Sequence, residues 1–306
     1  MTEAVRIAAE KIRKLEVQGA RNVAIAAIKA LETLAKETNA KDPKVFLKEL
    51  TEAKEMLLVS RETEPLMRNV VRLIVSKVER SDKKNVKDLA DLVSLDSRLF
   101  RKSLEDSKER IAEIGARRIR DGMVVFTHCH SSTVTCLMSK AKSEGKNFEV
   151  ICTETRPAFQ GRITAKELLG LSVKTTLIVD SAARSLMNEA DLVIVGADAL
   201  TSEGNVINKI GTSTIALLAS EARKPFYVVS ELLKFDPETT YGDYEKIEER
   251  SKDEIWKDAP AKLIVRNPAF DVTRRDFIHG IICEEGIIPP HSILEVMHRV
   301  YPWVFQ

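Results

Sequence analysis

Along the first hundred residues, apolar positions recur every three or four residues. Val23, Ala26, Ala27, Ala30, Leu31 and Leu34 fall on one face of a helix, and Val70, Leu73 and Ile74 on one face of another. The opening stretch, MTEAVRIAAEKIRKLE, reads as a further amphipathic helix. Glycine is scarce here, and the breaks at 39–43, 62–65 and 80–85 separate helices rather than strands. The pattern predicts a helical domain over residues 1–120, with a last helix from about Ser97 to Arg120 leading into a second domain.

After Asp121-Gly122 the period changes. Short apolar, β-rich runs appear: MVVFTH (123–128), FEVICT (148–153), KTTLIV (174–179), DLVIVGA (191–197), PFYVVS (225–230) and KLIVR (262–266). SSTVTCLMSKAKSEG, TAKELLG, SAARSLMNEA and TSTIALLASEARK stand between them at helical length. Apolar strands alternating with helices need crossover connections, and these build a parallel sheet covered on both faces. The fold class is α/β: an N-terminal helical domain (1–120) followed by a Rossmann-like parallel-sheet domain (121–306). In such sheets ligands lie beyond the C-terminal ends of the strands.

Charge narrows the partners. Lys plus Arg (48) nearly balances Asp plus Glu (46), which argues against a nucleic-acid binder with its clustered basic excess and leaves room for a local basic pocket. No run reaches the roughly 18 apolar residues of a membrane span, and the N-terminus lacks the pattern of a signal peptide. The four cysteines, Cys129, Cys136, Cys152 and Cys283, form neither a C-x-x-C pair nor a disulfide framework. A reducing, cytoplasmic compartment is expected. Neither G-x-G-x-x-G after the first strand nor G-x-x-x-x-G-K-[ST] occurs, so a dinucleotide enzyme or P-loop protein is disfavoured.

Two strand ends carry the candidate chemistry. Thr127-His128-Cys129-His130-Ser131-Ser132-Thr133 ends a strand in hydroxyl residues that open a helix, an arrangement that turns backbone N–H groups toward an anion. Cys129 reads either as a thiolate, lowered by the helix start and adjacent imidazoles, or as a buried cysteine beside N-capping serines. Zinc is disfavoured, because successive residues at a strand end point opposite ways. After DLVIVGA comes Asp198, read either as a poorly solvated acid with a raised pKa or as a turn cap. Asn208, Lys209 and Thr212 come next, as donors to a phosphate or to sugar hydroxyls; for Lys209 alone a solvated surface role is the competing reading. Glu154 to Pro157 with Gln160-Gly161, then Asp180-Ser181, then Glu231 with Lys234, stand at further strand ends. A thiol, carboxylates, amides and cations on one sheet edge suit a phosphorylated sugar.

The segments THCHSS, ETRPAFQG, VDSAARSLM, IVGADALTSEGNVINKIGTS, ELLKF, NPAFDVT and EEGIIPP resemble a superfamily with three branches. These are the archaeal ribose-1,5-bisphosphate isomerases, the methylthioribose-1-phosphate isomerases and the non-catalytic alpha, beta and delta subunits of translation initiation factor 2B. THCHS, DSAAR and NPAFDVT resemble the first branch most. The resemblance implies an aldose–ketose isomerase acting on ribose 1,5-bisphosphate, with Cys129 as base and Asp198 as acid and with no metal or redox cofactor. It implies substrate contacts from Gln18, Gly19, Ala20, Arg21, Arg61, Ser131, Ser132, Thr133, Asn208, Lys209 and Lys234, and a homodimer or homohexamer that binds neither nucleic acid nor membrane. The chain departs from the pattern at Gln18, where the isomerases carry arginine, at Glu62 in place of proline, and at Ser132, where the bisphosphate branch carries lysine. An arginine fork on phosphate is not replaced by glutamine. Those losses leave two alternatives: a regulatory subunit without catalysis, and an isomerase of another sugar 1-phosphate.

Overall fold

The computed structural model describes residues 3–61, 63–242 and 247–305; Glu62 therefore lies outside the described residues. The chain forms two units, one of residues 1–106, 233–235 and 298–306, the other of residues 107–232 and 236–297.

The first unit is built on α1 (Glu3–Arg13), α2 (Ala20–Glu37), α3 (Pro43–Ser60), α4 (Pro65–Glu79) and the beginning of α5 (Val86–Ala116). Pro43 and Pro65 open α3 and α4 at the position where a helix does not need the missing N–H. Asp42 caps α3 by accepting from the Lys44 amide at 2.7 Å. One stripe from each helix meets in a single core: Val5, Ala9 and Ile12; Leu31 and Leu34; Phe46, Leu50 and Leu57; Leu66, Val70 and Ile74. Each large side chain sealed there contributes about 1.5–3 kcal/mol. Residues 233–235 join this unit because the Asn69 amide donates to the carbonyls of Leu233 at 2.9 Å and Phe235 at 2.8 Å, while Leu233 enters the core. The C-terminal residues join it through Phe305 against Phe235 and Trp303 against Phe100.

The second unit runs β1 (Val124–Thr127), α6 (Ser132–Ser143), β2 (Glu149–Thr153), α7 (Gly161–Gly170), β3 (Lys174–Ile178), α8 (Ala183–Leu186), β4 (Leu192–Val195), β5 (Ala199–Leu200), β6 (Val206–Lys209), α9 (Thr212–Glu221), β7 (Phe226–Val229), α10 (Asp253–Trp256), β8 (Phe270–Thr273), β9 (Gly280–Cys283), β10 (Gly286–Ile288) and the start of α11 (Ile293–Val300). The main sheet has the order β10-β9-β7-β4-β1-β2-β3. Its neighbours pair in parallel except β10, which runs antiparallel to β9. The doubly wound parallel sheet is therefore the fold that the sequence predicts, and β4 at its centre is buried along its whole length. A second, antiparallel sheet, β5-β6-β8, is an addition the apolar runs do not announce.

Three expectations are corrected. KLIVR is no strand: Leu263 and Ile264 are exposed, and the place beside β7 belongs to β9. β-branched residues fit a pleated surface only where a partner strand exists. The last helix of the N-terminal region begins at Val86 rather than Ser97, and the units divide inside it, not at residue 120. Its far end packs Ile111, Ala112 and Ala116 into the core of the sheet unit, where Gly115 lies so close to Leu137 that a Cβ would stand 2.0 Å from its Cδ1. SAARSLMNEA is not one helix but α8 between two 3₁₀ turns.

Two glycines in α7 give a matched test. A Cβ at Gly161 would lie 1.7 Å from the Thr153 carbonyl oxygen, backbone that cannot step aside, whereas a Cβ at Gly170 would meet nothing within 4 Å. Gly161→Ala is expected to lower unfolding stability by about 1–3 kcal/mol, and Gly170→Ala to raise it by up to about 1 kcal/mol. Urea denaturation of the two proteins checks the opposite signs.

Candidate active site

The strand order puts a topological switch at β1 and β4. From β1 the chain proceeds to β2 and β3 on one side, then returns to β4 on the other. Crossovers leaving in opposite directions open a crevice beyond the carboxyl ends of these two strands. Cys129 follows β1 by two residues, and Asp198 follows β4 by three. The two ends approach closely: a Cβ on Gly196 would lie 2.7 Å from the Cβ of Ser131. Only glycine fits there.

A buried chain of hydrogen bonds fixes the crevice. The Cys129 amide donates to Thr155 Oγ1 at 2.9 Å, the hydroxyls of Thr155 and Thr153 are 3.2 Å apart, and Thr153 Oγ1 lies 2.6 Å from His128 Nδ1. His128 Nε2 lies 2.9 Å from the Ile210 carbonyl. A carbonyl only accepts, so Nε2 carries the proton and Nδ1 accepts from Thr153. The Thr153 proton being committed, the Thr155 hydroxyl donates to Thr153. Beyond Ile210, Asp271 accepts from the amides of Gly211 at 2.8 Å and Ser213 at 3.1 Å and from the Ser213 hydroxyl at 2.8 Å, and the Asp198 amide donates to the Ile207 carbonyl at 2.9 Å. Residues 207–213 are thereby tied to both strand ends.

Cys129 sits in the left-handed region with φ 67°, and Thr155 and Phe159 share that region with φ 62° and 55°. Leu15, Ser172 and Arg223 have similar angles but simply come after the ends of α1, α7 and α9, a common place for them. At Cys129 and Thr155 the conformation instead continues a strand end into a loop, where the buried hydrogen bonds hold it.

The histidines do not activate the thiol. His128 is turned to Thr153 and Ile210, and burial keeps its pKa below the ordinary imidazole value. His130 Nδ1 lies 3.1 Å from Thr164 Oγ1, whose proton goes to the Cys129 carbonyl at 3.0 Å; burial lowers this imidazole too. Burial pushes the Cys129 thiol up to about 12, Lys209 pulls it down, Asp198 pushes it up, the His130 amide lowers it and Asp180 raises it. The expectation of a lowered thiol is corrected for the free protein: sulfur holds its proton, and S–H donates to Gln160 Oε1 at 3.6 Å. Asp198 is half-buried rather than enclosed.

The helix starts differ in what they offer an anion. At α9 the first-turn amides are occupied by the Asp271 carboxylate. At α6 Ser131 caps Val134 at 3.4 Å, while the Ser132 and Thr133 amides have no acceptor among the described residues. A helix start with unmet amides is able to receive an anion. Asn208 and Lys209 are buried on β6, with Asn208 donating to Thr212 Oγ1 at 3.0 Å and the Lys209 ammonium 4.9 Å from the Phe270 ring centroid. The sheet unit thus assembles Cys129, Ser131, Ser132, Thr133, Asp198, Asn208 and Lys209.

Gln18, Gly19, Ala20, Arg21, Arg61 and Lys234 belong to the helical unit. Gln18 is exposed and donates to the Leu15 carbonyl at 3.1 Å, Gly19 precedes α2 with φ 83°, and Ala20 begins that helix in the core. Arg21 gives its guanidinium to the Leu104 carbonyl and the Glu105 carboxylate. Arg61 pairs with buried Glu64 at 3.0 Å, and Lys234 is buried.

Comparison with known proteins places this architecture. The model of the initiation factor 2 subunit family matches residues 16–290. The chain belongs to this family. Ribose 1,5-bisphosphate isomerase of Archaeoglobus fulgidus is 45% identical over 290 residues, covering 94% of this chain and 90% of that protein. The protein of the same name from Methanocaldococcus jannaschii is 40% identical over 298 residues, covering 96% and 94%. Among solved structures, the translation initiation factor eIF-2B of Pyrococcus horikoshii OT3 superposes with a TM-score of 0.83 at 31% identity, covering 95% of this chain and 98% of that one. Chains named as enzymes and a chain named as a translation factor are thus both similar to this one along most of its length.

Sequence reasoning does not assign Gln160, Thr155, Thr153, His128 or Asp271 a part in holding the thiol. Glu154 to Gly161 reads only as a strand end, and Asp180 proves to be its clamp, accepting from the Thr155 and Arg156 amides at 2.8 and 2.7 Å.

The raised thiol gives a signed pH test. An unfolded cysteine ionises near pH 8.5 or so, whereas folded Cys129 holds its proton up to about 12. Its contribution to stability is complete below the unfolded value and is lost as pH rises through the window between the two. Between about pH 8 and about pH 10.5 the urea midpoint should fall less for Cys129→Ser than for the unchanged protein; equal falls would contradict the assignment.

Proposed function

We propose that this protein is a ribose 1,5-bisphosphate isomerase that produces ribulose 1,5-bisphosphate. The observation that carries the reading is the electrostatically linked thiol–carboxylate pair, Cys129 and Asp198, at the switch of the sheet. The archaeal relatives of that name, similar along most of the chain, support it.

A sugar with phosphate on its anomeric oxygen cannot open its ring unaided. Opening needs a proton on the ring oxygen while the C2 proton leaves. Asp198 opposes a negative charge on the Cys129 sulfur, so the thiol ionises most readily when its proton passes to that carboxylate. In the resting protein the sulfur holds it. Moving that proton from thiol to carboxylate makes acid and base in one step. The thiolate then takes the C2 proton, C1–C2 becomes a double bond, and the C1–O4 bond breaks as Asp198 protonates O4. The enol collapses when its O2 proton passes to Asp198 and the thiol returns a proton to C1, restoring both groups. Lys209 favours the thiolate form throughout.

The amides of Ser132 and Thr133, with Ser131, are assigned to one phosphate, and Asn208 and Lys209 to sugar hydroxyls or phosphate. Four free cysteines support a reducing, cytoplasmic compartment, and the family resemblance implies a homodimer or homohexamer. Among the described residues no helix is long and apolar enough to cross a membrane. The second reading, a ligand-binding regulatory subunit, is favoured by the protonated resting thiol and by Ser132 in place of a phosphate-binding lysine.

Ketose formation from ribose 1,5-bisphosphate separates them. Turnover is expected, with Cys129→Ser and Asp198→Asn each lowering kcat by about 10²–10⁴-fold while KM changes little. Turnover undiminished in either variant would remove the proposed chemistry. Binding of the bisphosphate without turnover would favour the regulatory reading.

A further inference from the structure

Lys209 is the cation that draws the Cys129 thiol toward ionisation, and β8 is what places it. Strands β6 and β8 pair antiparallel, with Asn208 opposite Asp271 and Lys209 opposite Phe270. Lys209 is only 6% exposed, and its ammonium lies over the Phe270 ring with no hydrogen bond among the described residues. Its position therefore follows from its backbone and from that ring.

The backbone after Lys209 passes from strand to helix through two residues, Ile210 and Gly211. Gly211 has φ 101°, and a Cβ there would stand 3.0 Å from His128 Nε2. Two local bonds shape the turn: Thr212 Oγ1 donates to the Lys209 carbonyl at 2.6 Å, and the Asn208 side-chain amide donates to Thr212 Oγ1 at 3.0 Å. The third hold comes from far along the chain. Asp271 accepts the Gly211 amide at 2.8 Å, the Ser213 amide at 3.1 Å and the Ser213 hydroxyl at 2.8 Å. These are charge-assisted bonds at the positive end of a helix, the stronger kind. One side chain thus joins the strand that sets the register of Lys209 to the helix that ends its turn.

We propose that Asp271 is a positioning residue for the reaction: by filling the start of α9 with its own carboxylate, it holds the Lys209 ammonium where it favours the Cys129 thiolate. Charge and position predict opposite signs. A carboxylate acting directly on a thiol opposes its ionisation, so loss of the Asp271 charge alone would make Cys129 more reactive. Release of Lys209 makes it less reactive. This inference rests on the isomerase reading only for its use in turnover; the effect on the thiol belongs to the free protein.

The test is iodoacetamide alkylation of Cys129 at one pH, read on its peptide by mass spectrometry, because the rate follows the thiolate fraction. Half-exposed Cys136 in the same digest is the control. Asp271→Ala removes the carboxylate, Asp271→Asn keeps an oxygen for the two amides, and Lys209→Met removes the cation. Asp271 is half-buried, so sodium formate can supply a carboxylate to the Asp271→Ala protein. The Cys129 rate is expected to fall about tenfold in Asp271→Ala, one pKa unit, and less in Asp271→Asn, with Cys136 unchanged and circular dichroism showing folded protein. Formate should restore the rate where equal chloride does not. In the Lys209→Met protein, adding Asp271→Ala should change the rate by less than about twofold, because the cation it places is gone. Isomerase kcat should fall and recover in parallel. A Cys129 rate that is unchanged or higher in Asp271→Ala overturns the inference, as does a fall that formate reverses no better than chloride or that recurs in full beside Lys209→Met. Should Asp271→Ala not fold, the Asp271→Asn rate decides by the same signs. The expected rates in a protein that does not isomerise ribose 1,5-bisphosphate would leave the role of Asp271 standing and remove the substrate reading.

Discussion

The crevice depends on a run of hydrogen bonds with no solvent to replace them, leading from the Cys129 amide through Thr155, Thr153 and His128 to the Ile210 carbonyl. His128, Thr153 and Thr155 are all nearly sealed from water, so a break anywhere leaves a buried polar group unmet, at a cost of about 1–3 kcal/mol. That penalty is what holds Cys129 in a left-handed conformation its Cβ disfavours. It also fixes His128 as the Nε2–H tautomer, and burial keeps the ring neutral. The sulfur direction, the lie of residues 207–213 and the nearness of Lys209 to the thiol all result from the same run.

This frame separates two jobs that look alike in sequence. The two helix starts at the crevice carry similar hydroxyl residues, Ser131-Ser132-Thr133 and Thr212-Ser213. One is closed by Asp271 and ties β8 to the start of α9; at the other the Ser132 and Thr133 amides meet no acceptor among the described residues. Charge is divided in the same way. Asp180 and Asp271 are consumed by backbone amides, whereas Asp198 acts on the thiol through its charge. Asp198 is the carboxylate that the proposed proton transfer to and from a sugar uses.

Much of the fold was legible because β1, β2, β4 and β7 are continuous apolar runs bounded by turn residues, and a strand sealed on both faces has to be apolar throughout. KLIVR has the same appearance without a partner strand, and Gly280–Cys283, which opens on glycine and is flanked by His279 and Glu284, takes the place beside β7. Cys129 and Asp198 were visible because a parallel sheet gathers ligands at its strand ends. Their environment was not. Sequence neighbours suggested that two imidazoles would activate the thiol, but the rings turn to Thr153, Ile210 and Thr164. Burial then raises the thiol instead of lowering it. The roles of Gln160 and Asp271 were not legible because they come from residues far along the chain, Cys129 for one and the Gly211–Ser213 turn for the other.

In the proposed isomerase one sugar phosphate lies between Cys129 and Asp198, with its phosphate on the first turn of α6. A crystal structure of the Cys129→Ser protein with ribose 1,5-bisphosphate bound tests it most directly. The account predicts C2 of the sugar facing residue 129, the ring oxygen facing Asp198 and one phosphate on the Ser132 and Thr133 amides. A sugar bound away from the β1–β4 switch, or lying there with its phosphates elsewhere and C2 turned from residue 129, would contradict it.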